Sequence, residues 1–309
     1  MVYVTERWIK FGLESDHGTW TTPDTFPNNL LEWEATTAEN RSEEELIAGY
    51  RDDLARAFTS EGITARMTQQ LVSSKPFYLA LGSYSFDDVN EVSTITVGAT
   101  LPSLSFYRGL LGSDGDTISL GYYGLKVDSW ELTAEAEEDI TLEMNLAGIG
   151  TTVPSAIAKP SISNLDVFTF HEVELNIQGT VYSSFNRLVL SGNNNLEAKY
   201  AANLSYRPLA IREGGVEISG RITVFGDLDT WNSLVTSRSE YDCTISLKKS
   251  GKTISIQLNN VAFGEYGEPI RGIDEIDVEI PFRARRVGNT PSIKIIEDSG
   301  YSSWDSMPY

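Results

Sequence analysis

The chain has 309 residues, 40% of them hydrophobic, a formal net charge of −20 with histidine neutral, and one cysteine. That is core enough for one large domain or two small ones, whereas an internal disulfide is excluded and sequence-independent binding to the outside of a nucleic acid is disfavoured. No apolar run is long enough to span a bilayer as a helix.

The start, MVYVTERWIKFG, lacks a basic stretch followed by an apolar one, so folding in the cytoplasm is the expectation. Trp8, Phe11 and Trp20 sit among polar residues with no period, a pattern suited to an arm that docks on a partner. Ser42 and Glu45 form a capping box ahead of Leu46, Ile47, Tyr50 and Leu54, which predicts a helix over SEEELIAGYRDDLARAF. A strand follows at Glu61–Gln69. The stretch SSKPFYLALGS then predicts a short helix capped by Ser73 or Ser74, with Pro76 in its first turn. Ser93–Leu101 alternates as a strand, and GSDGDT at 112–117 is a hairpin turn, because no Glu follows where a calcium loop requires one.

Residues 126–150 read as a long strand pair. Val127, Ser129, Glu131 and Thr133 fall on one face and Trp130 and Leu132 on the other. Ile140, Leu142, Met144 and Leu146 continue the alternation after a bend carrying Glu135, Glu137, Glu138 and Asp139. A small-residue, proline-containing stretch at 148–164 marks a boundary. Further strands are expected at Val173–Gly179, Val216–Val224, Asp242–Lys248 and Thr253–Val261, with His171 at a strand start and a helix in GDLDTWNSLVTSR burying Trp231, Leu234 and Val235. Cys243 lies in an apolar alternation and reads as a small buried hydrophobe. Arg283 and Arg285 share one face of FRARR and are placed to pair with acids of a neighbouring subunit. Tyr301, Trp304 and Tyr309 end the chain, either docked or as a loose tail.

The two halves run through the same series. Each opens on Phe, Asn and a leucine-rich strand, then makes a charged excursion containing a Tyr–Arg pair (Tyr50 and Arg51; Tyr206 and Arg207). Each re-enters as a strand after a glycine, in EGITARMTQQ and GGVEISGRITV, passes into a short helix and closes on a strand pair with an acidic turn. The expectation is a duplication, with an arm at 1–27, units at 28–152 and 166–290, a linker at 153–165 and a tail at 291–309.

Three stretches, FGLESDHGTWTTPDTFPNN, GLKVDSWELTAEAEEDITLEMNLAGIG and RLVLSGNNNLEAKY, resemble the major tail tube proteins of tailed viruses, a likeness extending from Phe11 to about Ile295. The resemblance implies a mainly β chain of two tandem tube-type β-sandwich or barrel domains, each with a flanking helix and a long excursion loop. Such domains close into rings around a shared inner β-barrel, and the rings stack. A two-domain chain implies three chains per ring with pseudo-sixfold symmetry, and a one-domain chain implies six. The partners implied are further copies of the chain, a tape-measure protein, tail terminator and baseplate or tip proteins, and a double-stranded DNA that passes without binding; the place is the virion tail, assembled in the host cytoplasm. Interface residues are then Trp8, Phe11, Trp20, Tyr50, Arg51, Tyr206, Arg207, Arg283 and Arg285. Acids placed to face the lumen and repel passing phosphates are Glu131, Glu135, Glu143, Asp277 and Glu279.

No catalytic, metal or cofactor residues are expected. His17 and His171 have no Asp or Cys arranged around them, and among 44 acids a carboxylate pair says nothing about a glycosidase. Two other classes remain as alternatives, a non-catalytic adhesin-like binding module and a β-sandwich glycoside hydrolase. The excess of 15 Arg over 9 Lys with many acids suits a high-salt host, and equally an ordinary acidic surface.

Overall fold

A computed structural model describes residues 4–41, 58–112, 117–160, 165–202, 205–225, 228–249, 251–264 and 277–309. The chain is mainly β. It runs β1 (Val4–Leu13), β2 (Leu30–Arg41), β3 (Phe58–Gln70), α1 (Pro76–Leu81), β4 (Gly82–Asp87), β5 (Val92–Val97), β6 (Leu104–Gly112), β7 (Thr117–Glu135), β8 (Thr141–Gly148) and β9 (Gly150–Thr152). It continues through β10 (Val173–Ile177), β11 (Thr180–Tyr182), β12 (Phe185–Asn193), β13 (Glu197–Lys199), β14 (Ala210–Arg212), β15 (Glu217–Val224), α2 (Leu228–Ser237), β16 (Glu240–Lys249), β17 (Lys252–Phe263), β18 (Val278–Ala284) and β19 (Ile293–Asp298).

The alternating stretches become strands because each buries one face. On β8, Leu142, Met144 and Leu146 are buried, whereas Thr141, Glu143 and Asn145 look outward. The strand expected at Ser93–Leu101 stops at Val97, where the chain turns towards β6. Helix α1 forms where Pro76 and the apolar run predict it, and Gly82, at φ 88°, closes it by donating to the Tyr78 carbonyl. Neither expected serine caps it: Lys75 holds that position without a side-chain cap. The serines are engaged in tertiary contacts, since Ser73 Oγ takes the Lys75 N–H at 3.2 Å and also meets the Pro308 carbonyl, and Ser74 Oγ lies 3.3 Å from Ser93 Oγ. Helix α2 buries Trp231, Leu234 and Val235 as predicted. The helix predicted from Ser42 spans 42–58; residues 42–57 lie outside the described residues, and Phe58 begins β3.

One face assignment is corrected. Val127 is fully buried, on the same side as Trp130, Leu132 and Ala134, and not with Ser129 and Glu131. A bulge between Val127 and Ser129 in the β7–β8 ladder inserts Asp128 and flips the alternation.

Two layers enclose the core. The first is the antiparallel series β2–β3–β8–β7–β12–β15–β18. The second contains β4–β5–β19–β17–β16–β10–β11, with β1–β6–β7–β9 as its counterpart over the first half. The long strands β7 and β17 each start in the second layer and finish in the first. Between the layers lie Phe77, Leu79, Trp130, Leu132 and Met144 on one side and Trp231, Leu188, Ile222 and Ile280 on the other.

The halves share one pairing diagram. Strands β1·β6, β6·β7, β7·β8, β8·β3, β3·β2 and β7·β9 have counterparts in β10·β16, β16·β17, β17·β18, β18·β15, β15·β12 and β17·β19. Irregularities recur as well. The β2–β3 ladder slips between Leu30 and Glu32, and the β12–β15 ladder slips between Phe185 and Arg187, which sets Leu30 on Phe185. The β6–β7 slip at Leu104/Phe106 returns at Tyr241/Cys243. Bulges are specific local geometries, and their recurrence at matched places fixes the alignment of the halves.

Both ends of the chain fold back on it. The stretch expected as an arm contributes β1, and Phe11 and Thr25 exchange backbone bonds at 2.8 and 3.0 Å. The stretch expected as a tail contributes β19. It then docks Trp304 on Tyr84 with ring centroids 4.1 Å apart, and the Asn28 N–H donates to the Tyr309 carbonyl at 2.9 Å.

Candidate functional site

The outward face of the first layer is the most distinctive surface. Period-two alternation places Glu131 and Glu135 of β7, Glu143 of β8 and Glu279 of β18 on that face, with Asp277 just before β18 on the same side. All five acids nominated from sequence therefore share one wall. Glu32 and Glu34 of β2 and Glu217 of β15 join them.

Arginines of neighbouring strands neutralise part of this charge. Arg66 meets Glu143 at 2.7 Å, Arg187 meets Glu135 at 3.2 Å, Arg283 meets Glu217 at 3.1 Å, and Arg221 meets Glu279 at 4.0 Å. The Arg66–Glu143 and Arg221–Glu279 pairs occupy matched positions of the two halves. The hydrogen bond that Arg66 donates to Glu143 raises the pKa of its guanidinium above the ordinary value. Each pair is solvent-exposed and screened by water, so it adds little to stability. Their consequence is geometric: the guanidinium forks are tied along the wall instead of reaching off it. Among the described residues Glu131 accepts from the Ser191 hydroxyl at 3.2 Å and meets no cation, and the acids named on the wall outnumber its arginines, so the surplus is negative.

The second feature is an edge. The halves are joined in this layer by β7·β12, from Arg187↔Glu135 to Asn193↔Ser129, seven residue pairs. Among the described residues β2, the counterpart of β12, pairs with β3 alone. An unpaired strand edge is a template for another chain.

The third feature is the way the second half's excursion docks on the first half. Arg207 Nε lies 3.3 Å from Glu61 Oε2, its Nη1 donates to the Tyr123 hydroxyl at 3.1 Å, and Glu61 N–H donates to the Tyr206 carbonyl at 2.8 Å. Lys126, itself buried, reaches Glu213 at 2.6 Å. His17 Nε2 accepts the Ile211 N–H at 3.1 Å, and its Nδ1 lies 2.8 Å from Ser103 Oγ. Glu14 accepts from Ser103, Ser105, Gly18 and Gly124, so the Ser103 hydroxyl proton is directed to Glu14 and Nδ1 carries the imidazole proton. Burial, then Lys126, lowers the His17 pKa, which keeps the ring neutral and Nε2 free to accept.

The other nominated residues distribute as follows. Trp8 and Phe11 are buried inside the chain, Trp8 Nε1 donating to the Ile157 carbonyl at 3.2 Å and Phe11 stacking on Phe106. Trp20 lies half-buried over Gly121, where a Cβ would come within 2.6 Å of its ring. Arg283 finds its acid within the chain, and Arg285 is exposed at the end of β18. Tyr50 and Arg51 lie outside the described residues. The Glu14 hub was missed by sequence reasoning, because its four donors come from three separate stretches and no local pattern announces them. Among the described residues no three His, Cys, Asp or Glu side chains gather as a metal site would need, and no helix is long and apolar enough to cross a membrane.

A family model described as phage tail tube protein matches residues 9–284. No curated protein matches the chain.

Proposed function

The chain belongs to the phage tail tube protein family, a structural family of the virion tail, and on that premise we propose that three copies close into a ring whose inner wall is the charged face of the first layer. The observation that carries this is the internal junction β7·β12. It supports the reading because β12 meets β7 along an edge that β2, among the described residues, leaves without a second strand beside β3. Repeating that junction between chains pairs every inner edge and yields a closed barrel. Each chain supplies two like units, so three chains give six. The ring axis leaves contacts that do not close, which builds a stacked tube.

The wall's function is passive. Its net negative charge repels phosphates, and its arginines are held by cross-strand glutamates, so duplex DNA passes without a lasting contact. Assembly takes place in the host cytoplasm around a tape-measure protein, with terminator and baseplate proteins at the ends. The domain limits that follow the pairing diagram are a first unit ending with β9 and a second beginning before β10.

Electron microscopy of purified protein in low and in molar salt tests the reading. Tubes built from three-chain rings are expected, and molar salt should favour them by screening the −20 charge. Single particles with a glycan-binding surface would favour an adhesin-like module instead, and turnover of a glycan panel a hydrolase. Six-chain rings would overturn the stoichiometry.

A further inference from the structure

Beside the start of β2 lies a cavity of about 520 Å³, lined among others by Arg7, Trp8, Leu31, Trp33, Arg108 and Lys159. The alignment that sets Leu30 on Phe185 sets Leu31 on Asn186 and Glu32 on Arg187. In the second unit that corner is filled. The β7–β8 turn of the first unit enters it: Ala136 N–H donates to the Asn186 carbonyl at 2.8 Å, Phe170 N–H to the Glu138 carbonyl at 3.1 Å, and Ile140 N–H to the Phe168 carbonyl at 2.8 Å. Glu135 meets Arg187 there, and Phe170 packs edge-on against Phe185. At the matched corner of the first unit Leu31 is 56% exposed.

We infer that this cavity is a socket for a second copy of the chain, occupied by the end of that copy's second unit where β17 gives way to β18. The inference rests on the ring reading above and goes further: it names the surface and the element that fills it. The occupant follows from the pairing diagram, in which β17 and β18 are the counterparts of β7 and β8. Charge agrees with it. The socket carries Arg7, Arg108 and Lys159 against the single acid Glu32 in a chain of net charge −20, and Lys159 already meets Glu6 at 3.2 Å. The connection from β17 to β18 contains Glu265, Glu268, Asp274, Glu275 and Asp277 against the single base Arg271. The acidic connections of the two strand pairs are then both joints: one used inside the chain, the other between chains.

The test replaces Cys243 with Ala, introduces Leu31→Cys, attaches a benzophenone maleimide, and dopes labelled subunits sparingly into unlabelled Cys243→Ala protein before tubes form. On irradiation the labelled band should shift to that of a dimer, with the photoproduct in tryptic peptides spanning Thr253–Arg283. In parallel, Arg108→Glu with Lys159→Glu should lose tube formation while melting as the parent does. Normal tubes whose photoproducts fall in the labelled chain itself or in first-unit peptides would overturn the socket and leave the ring standing. Absence of any ring or tube from the unlabelled parent would overturn the ring reading and the socket with it.

Discussion

Gly192→Ala is a direct probe of the junction between the units. Gly192 on β12 faces Trp130 on β7. A Cβ there would lie 2.2 Å from Trp130 Nε1 and 2.3 Å from Cε2. Ordinary contact begins near about 3.5 Å, so the indole must withdraw by roughly 1.3 Å. It has nowhere to go, being 1% exposed and packed edge-on against Phe77 at 5.4 Å. Overpacking of this kind costs about 1–3 kcal/mol, and replacing a strand glycine returns about 0.5–1 kcal/mol. The net loss is centred on about 1 kcal/mol with an upper end of about 2.5, or roughly 2 °C in Tm for a chain of this length. Calorimetry of parent and variant subunits measures it, with Gly215→Ala as control, since a Cβ at Gly215 meets nothing within 4 Å. If Gly192→Ala melts at or above the parent temperature, the junction is not the close-packed joint described above.

Asn194→Ala removes the side-chain amide that donates to the Ala80 and Val127 carbonyls at 3.0 and 2.8 Å; losing both buried bonds should lower stability by about 1–3 kcal/mol, seen as a fall in urea midpoint at unchanged slope. Burial lowers the Lys75 pKa to about 8 from 10.5, so between those values the unfolded chain binds the extra proton and stability rises with pH. Denaturation curves across that window should show this rise in the parent and lose it in Lys75→Met. Burial pushes the Cys243 thiol up to about 12, so a thiol reagent at neutral pH should react only after denaturation; rapid labelling of native protein would refute its core placement.

Strand identity was legible in the sequence because alternation is a local signal: β3, β8, β15, β16 and β17 lie where Val, Ile and Thr alternate with polar residues. The same period-two rule separated the acids from the apolar residues within β7, β8 and β18, whereas the common face of the three strands follows from their pairing. Helices α1 and α2 were legible from Pro76 and from the spacing of Trp231, Leu234 and Val235. The parallel order of strands in the two halves was legible too, but in another frame: matching the glycines sets Gly62 on Gly215, whereas the shared bulge sets Gly62 on Glu217. Alternation repeats every two residues, so registers two apart bury the same face and sequence alone does not separate them.

Tertiary structure decided what depends on partners distant along the chain. The bulge at Asp128, which turns Val127 inward, exists only against β8. Trp8 and Phe11 became core because β6 pairs with β1, and the Glu14 hub exists because Ser103, Ser105 and Gly124 converge on it. The joining of the halves through β7·β12 and β5·β19 is likewise a choice among edges whose backbone groups are chemically identical. Local residue type specifies which segments extend and which face they bury; only the folded chain settles which edge pairs with which.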